Sequence, residues 1–209
     1  HNTGSALTLY PFMAAIKASS VTNNIDGPSP VVYHKVNALT TDREYLIVTT
    51  DDEGNYYSFN ANKLSTKYQT KIDATPISVN EGQATRYNET EGLYCELSSG
   101  KAKLESLLNG KYLIVNDKGF VVGSSSDFTI TPDATNETFK LKSKNNYYIY
   151  FNKNTKQFKY TKSTNLASYE TADFKLLERE PIAYINVVAP EGYTTFYCKD
   201  RYFWPEGIE

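Results

Sequence analysis

Hydrophobic and polar positions alternate along most of this chain, and the alternation repeatedly turns back on itself. Tyr45-Leu46-Ile47-Val48 runs into the polar, glycine-bearing Asp51-Asp52-Glu53-Gly54-Asn55 and then into Tyr56-Tyr57-Ser58-Phe59. The same tetrapeptide recurs at Tyr112-Leu113-Ile114-Val115, with the turn Asn116-Asp117-Lys118-Gly119 and the return Phe120-Val121-Val122. A third stretch of this kind runs from Tyr147 to Tyr160. Short alternating runs broken by Gly, Asn and Asp predict strand, turn, strand. Leu93–Leu97 and Lys101–Leu104 flank Ser98-Ser99-Gly100, and Phe128–Ile130, Phe139–Lys142 and Phe174–Leu177 supply further strands.

The expected fold is therefore mainly β, an antiparallel barrel or sandwich built from hairpins. Three hairpin units suit a β-trefoil-like barrel. However, the interval from Tyr45 to Tyr112 is nearly twice that from Tyr112 to Tyr147, which weighs against strict threefold repetition and against a solenoid or propeller. The Gln-x-Trp signature of ricin-type trefoils has no counterpart: Trp204 is the only Trp, and none stands near Gln69, Gln83 or Gln157.

One segment departs from the period of two. Leu9, Phe12, Met13 and Ile16 share a helical face, and Pro11 fits a first turn capped near Thr8, so one short N-terminal helix is expected over residues 8–18. An extended segment from Ala6 to Ala15, broken at Pro11, is the alternative. Asn23–Pro30 is a loop, and Val31–Val36 a short strand. Glu178-Arg179-Glu180-Pro181 reads as a boundary. The expected organisation is a helix and linker over 1–40, a hairpin domain over 41–180, and the start of a second small β module over 181–209.

Composition narrows the function classes. The net charge of −2 provides no basic footprint for nucleic acid and no polybasic membrane patch. No apolar run approaches a membrane span. Tyr is abundant, 18 residues against 10 Phe, as sheet surface or as rings that stack on a ligand. Cys95 and Cys198, far apart in the chain, are either one bridge or two separate thiols. With two histidines, His1 and His34, and no His-Glu-x-x-His or Cys-x-x-Cys, neither a metal centre nor a cysteine nucleophile is expected. Gly100-Lys101 and Gly110-Lys111 lack the remaining parts of a phosphate loop, and no cofactor is expected. Asp51, Asp52, Glu53 and Asn55 form an acidic turn, either solvated or holding Ca²⁺ through oxygen. Asn88-Glu89-Thr90 and Asn136-Glu137-Thr138 are sequons that matter only in a eukaryotic secretory route.

The best candidate surface is the third hairpin. With Asn152–Thr155 as its turn, Phe151 falls opposite Lys156, Tyr150 opposite Gln157 and Tyr148 opposite Lys159. Alternation then puts Tyr147, Ile149, Phe151, Phe158 and Tyr160 on a core face, and Tyr148, Tyr150, Gln157 and Lys159 on the other. Rings mixed with amide and amine suit sugar stacking or protein contact; an ordinary cross-strand Tyr ladder is the alternative.

The order Tyr-Leu-Ile-Val, glycine turn, Phe128-Thr129-Ile130, Tyr147–Asn154, Phe158–Thr164 and Phe174–Leu177 resembles the β-rich accessory modules of large secreted or surface proteins of Bacteroidetes. Gly192–Tyr197, ending in Pro205-Glu206-Gly207, resembles the opening of the small β modules that follow them. The resemblance implies export, flanking modules in the same chain, and a non-catalytic role; it assigns no site residues. The chain is expected to be a mature or trimmed fragment. Three classes remain: a secreted or cell-surface binding or adhesion module for glycan or protein, a structural spacer without ligand, and a protease inhibitor or glycoside-active enzyme.

Overall fold

The computed structural model describes residues 30–181, together with the backbone of Phe196–Cys198 and Arg201–Phe203. The helix expected over residues 8–18 and most of the module expected over 181–209 lie outside the described residues. Pro30–Glu180 forms one compact unit.

Strands form where the sequence alternates. β1 (Val31–Val36) and β2 (Arg43–Thr50) come first, and the acidic turn leads to β3 (Tyr56–Phe59). A polar stretch follows, with a single 3-10 turn at Ala61–Lys63 and the short strands β4 (Ile72–Asp73), β5 (Thr75–Ile77) and β6 (Gln83–Arg86). Then come β7 (Leu93–Ser98), β8 (Lys101–Ser106), β9 (Lys111–Asn116), β10 (Gly119–Gly123), β11 (Phe128–Asp133) and β12 (Thr138–Ser143). The third hairpin is β13 (Tyr148–Asn152) with β14 (Gln157–Thr161); β15 (Glu170–Thr171) and β16 (Lys175–Arg179) end the unit. Every pairing is antiparallel, and no α-helix occurs among the described residues.

Six strands close a ring. β2 pairs with β7, β7 with β8, β8 with β11, and β11 with β12. Phe139 and Phe174 exchange backbone hydrogen bonds of 2.7 and 2.9 Å, and β16 pairs back onto β2. Closure leaves the ring without an edge. Three hairpins stand on it: β2/β3, β9/β10 and β13/β14. The returning strand of each contributes one phenylalanine to a shared cluster. Phe59 lies 5.8 Å from Phe120 and 5.2 Å from Phe158, ring centroid to centroid. A six-stranded ring carrying three hairpins that meet in one aromatic cluster is a β-trefoil-like barrel.

The unequal spacing that weighed against threefold repetition has a local cause. Residues 60–92 are inserted between the first hairpin and the next ring strand, and they visit every hairpin. Gln69 bridges to Phe120 of the second, β4 pairs with β14 of the third, and β5 pairs with β3 of the first; β6 then pairs with β1. A half-buried pair holds the far end of the insertion: Arg86 Nε and Nη2 donate to Glu91 at 2.7 and 3.1 Å. The main core fills the ring and its hairpins; a second, smaller one of Val31, Tyr33, Leu46, Val48, Ile77, Ala84 and Leu177 lies between β2 and the added strands. Outside this unit, β17 (Phe196–Cys198) and β18 (Arg201–Phe203) pair with each other.

Candidate functional site

The third hairpin closes on Asn152 opposite Gln157, and its turn is Lys153–Lys156. The Asn152 side-chain oxygen accepts from the Asn154 and Thr155 amides at 2.9 and 3.0 Å. Lys156, at φ 56°, donates its amide to the Asn152 carbonyl at 2.8 Å. This corrects the register expected from sequence: Phe151 faces Phe158 rather than Lys156, Tyr150 faces Lys159, and Tyr148 faces Thr161. An Asx-type turn that consumes Lys156 shifts the returning strand by two residues. A shift of two preserves the alternation, whereas one would have exchanged the faces. Ile149, Phe151 and Phe158 are therefore buried, and Tyr148, Tyr150, Gln157 and Lys159 share the outer face, each half-buried. Tyr160 is half-buried at the hairpin's base, edge-on to Phe120 and Tyr147.

Three of the four have neighbours the sequence did not disclose. Tyr148 stands opposite Lys142 of β12, whose Nζ lies 5.8 Å from the ring centroid. Burial, and then the Glu170 carboxylate, push the Tyr150 phenol up. Gln157 Nε2 donates to Asp73 Oδ1 of the insertion at 2.9 Å. Tyr169, 43% exposed, is held beside the hairpin turn, where its carbonyl accepts the Lys153 amide at 2.7 Å. The turn Asn145-Asn146, with Asn146 at φ 65°, brings β12 back against β13; it was the one sequence signal able to place Lys142. Nothing local in the sequence places Asp73, which arrives from a distant insertion.

The acidic turn is organised from within. The Asp51 carboxylate accepts from the Glu53 and Asn55 amides at 3.0 and 2.9 Å and pairs with Lys156 at 2.9 Å, which holds its pKa well below the carboxylate range. Lys156 also lies over the Tyr57 ring at 5.1 Å, and Tyr57 stacks on Phe151 at 5.4 Å, so the first and third hairpins are tied together here. A polar groove of about 230 Å³ runs alongside, lined by Thr50, Asp52, Thr138, Lys153, Asp173 and Lys175. Its carboxylates are engaged, Asp52 with Lys153 at 2.6 Å and Asp173 with Lys140 outside the groove, while Lys175 reaches the Tyr56 hydroxyl at 3.4 Å. Among the described residues no three His, Cys, Asp or Glu side chains converge as metal ligands do. Cys95 is a buried free thiol pushed up to about 12 by desolvation, the opposite of an activated nucleophile. His34 faces Glu180 at 3.2 Å rather than a cysteine. At the open end of the ring an apolar groove of about 380 Å³ lies among Leu39, Leu97, Ala102, Ile130 and Phe139.

No protein-family model matches the chain, and no curated protein matches it. Among solved structures it is similar to a designed 3-fold symmetric protein, ThreeFoil, at 13% identity over 64% of this chain and 97% of that one, with a TM-score of 0.43. It is also similar to a BEL β-trefoil at 11% identity over 68% of this chain and 99% of that one, with a TM-score of 0.42. A GlcNAc[alpha]1-4Gal releasing endo-β-galactosidase from Clostridium perfringens matches at 14% identity over 66% of this chain, but over only 33% of that enzyme, with a TM-score of 0.43. Likeness at this level adds nothing to the ring and hairpin geometry, which stands on its own pairing.

Proposed function

We propose that this protein is a non-catalytic, exported binding module, of the kind found beside other modules in bacterial surface proteins, and that its ligand is a glycan taken on the outer face of the third hairpin. The observation that carries this reading is the pair Tyr148 and Tyr150. They are two half-exposed rings on one strand face, about 6.5–7 Å apart along the strand, with Gln157, Lys159 and Lys142 around them. That spacing suits successive sugar rings, while amide and ammonium groups bond hydroxyls and carboxylates. The β-trefoil-like ring supports the reading by holding this face on a rigid base.

The alternatives are set against the same residues. The polar groove near Asp51 has its carboxylates already paired with lysines, which disfavours a glycosidase pair there. A spacer has no use for half-exposed rings surrounded by donors. A glycan panel on the full chain, followed by Tyr148→Ala with Tyr150→Ala, is the test. We expect the double variant to lose about 2 kcal/mol or more of binding with its fold intact. Unchanged affinity would remove this face from the reading.

A further inference from the structure

Gln157 stands between two strands on the outer face of the third hairpin. On one side is β13, with Asn152 directly opposite and Tyr150 on the diagonal; on the other is β4, with Asp73 directly opposite. Diagonal neighbours in a sheet lie about 7–8 Å apart, within reach of a long side chain. Lys159, two residues further along β14, stands directly opposite Tyr150. A sugar stacked on Tyr150 therefore meets both an amide and an ammonium from the same neighbouring strand.

A carboxamide offers a donor at one end and an acceptor at the other, and its neighbours decide which way it turns. Gln157 Nε2 donates to Asp73 Oδ1 at 2.9 Å. An ionised carboxylate only accepts, so the NH2 end is fixed toward β4. The two arms of a planar amide diverge, so Oε1 is turned away from β4. Asp73 is itself well held. Ile72 beside it is buried, the Ala74 amide donates to the Lys156 carbonyl at 2.9 Å, and Lys63 Nζ donates to the Asp73 carbonyl at 2.8 Å. On the far side of β13, Glu170 stands opposite Asn152; its carboxylate takes the Ala167 amide at 3.0 Å and keeps the Tyr150 phenol protonated.

From this arrangement we infer that Asp73 is a positioning residue for the glycan face: by holding the Gln157 amide it presents Oε1 to the ligand as an acceptor, so the sugar over Tyr150 must bring a free hydroxyl there. The inference rests on the glycan-binding reading above. The ligand class it names is a neutral glycan running along β13, one sugar on Tyr150 and the next on Tyr148. On the Tyr150 sugar, one hydroxyl donates to Gln157 Oε1 and its neighbour accepts from Lys159 Nζ. The two side chains start about 6.5–7 Å apart on β14, and both are long enough to meet on vicinal hydroxyls. An ether, a sulfate or a carboxylate at the first position has no hydrogen to give. The Asp73 and Glu170 carboxylates add repulsion against the charged ones. The insertion thereby takes part in recognition without touching the ligand, because β4 sets the chemistry of a group on β14.

The test uses the full chain with cellohexaose, xylohexaose, mannohexaose and chitohexaose, and compares the one bound most tightly with its per-O-methylated form. The wild type should prefer the free sugar by about tenfold or more. Asp73→Asn lets the Gln157 amide turn, because a carboxamide at position 73 both donates and accepts. It should cut that preference about fivefold, the worth of one hydrogen bond, at an unchanged unfolding temperature. Asp73→Asn with Gln157→Glu puts the donor on position 73 and an acceptor on position 157, and should restore the preference to within about twofold of wild type. Wild-type preference in Asp73→Asn, or a double variant as poor as the single one, overturns the inference. The glycan-binding reading survives that outcome if Tyr148→Ala with Tyr150→Ala still abolishes binding. A wild type that binds only uronate or sulfated glycans overturns the inference in the same way. Failure to bind any glycan removes both.

Discussion

Tyr45–Val48 and Tyr112–Val115 share one tetrapeptide but occupy two different environments. In the first copy all four side chains are buried, at 2%, 0%, 2% and 0% exposure; in the second only Leu113 and Val115 are. The phase differs too. Tyr45 and Ile47 point into the main core, whereas in the second copy Leu113 and Val115 do. The hairpin phenylalanines settle the equivalence: Phe59 faces Ile47, Phe120 faces Val115, and Phe158 faces Phe151. The third residue of one copy thus corresponds to the fourth of the other. The repeat seen in the sequence and the repeat in the fold are offset by one residue, which in a strand exchanges the faces. The offset is tolerated because β1, β5 and β6 cover the outer side of β2, so Leu46 and Val48 find a second core there. The third hairpin carries no such sandwich on the outer side of Tyr148 and Lys159, and this is why a binding face is assigned to it and not to the first.

The largest effect expected to sharpen this comparison is at Leu46. Leu46→Ala should cost about 2–5 kcal/mol, as for a fully buried leucine, while Ile114→Ala, the same distance along the second hairpin's outer face, should cost about 1 kcal/mol or less. Denaturant unfolding of the two variants measures this, and equal losses would break the proposed difference in coverage. Next is Gly119, at φ 121°, where an added Cβ would sit 2.2 Å from the Gln69 carbonyl oxygen. Gly119→Ala should destabilise by more than about 1 kcal/mol, and hydrogen exchange should rise at residues 65–70, because the insertion can no longer lie against the second hairpin. Gly100→Ala, with open space at its Cβ, is the control for the left-handed backbone alone.

The smallest effect is at Asp51. Its folded pKa is depressed, first by Lys156 and then by the amides of its own turn, so its contribution is complete above the ordinary carboxylate pKa and is lost as pH falls through and below it. Lys156 is shifted upward by the same pair, so its share is lost only as pH rises past the ordinary lysine range. Stability measured from pH 7 down to pH 2 should fall less steeply in Lys156→Met than in the wild type. Parallel curves would show that the turn amides alone hold the carboxylate.

Much of the fold was legible because turn chemistry is local. Gly54, Gly100 and Gly119 take positive φ where the sequence placed turns, and the strands between them match the alternating runs. Ring closure was not legible, because it depends on Phe139 meeting Phe174 across the chain. The role of residues 60–92 was hidden for a similar reason: a polar stretch with two-residue strands carries no period, yet it pairs with all three hairpins. Of the candidate face, alternation alone placed Tyr148, Tyr150, Gln157 and Lys159 together. Lys142 and Asp73 were missed because cross-strand neighbours are set by register, not by proximity in sequence.

The most direct test of the central claim, that the uncovered outer face of the third hairpin is the binding face, is hydrogen–deuterium exchange of the full chain with and without a glycan retained from the panel. Protection confined to residues 139–162, with β2 and β3 unchanged, is the expected result. Protection instead at residues 37–39 and 97–102, around the apolar groove at the open end of the ring, would contradict it.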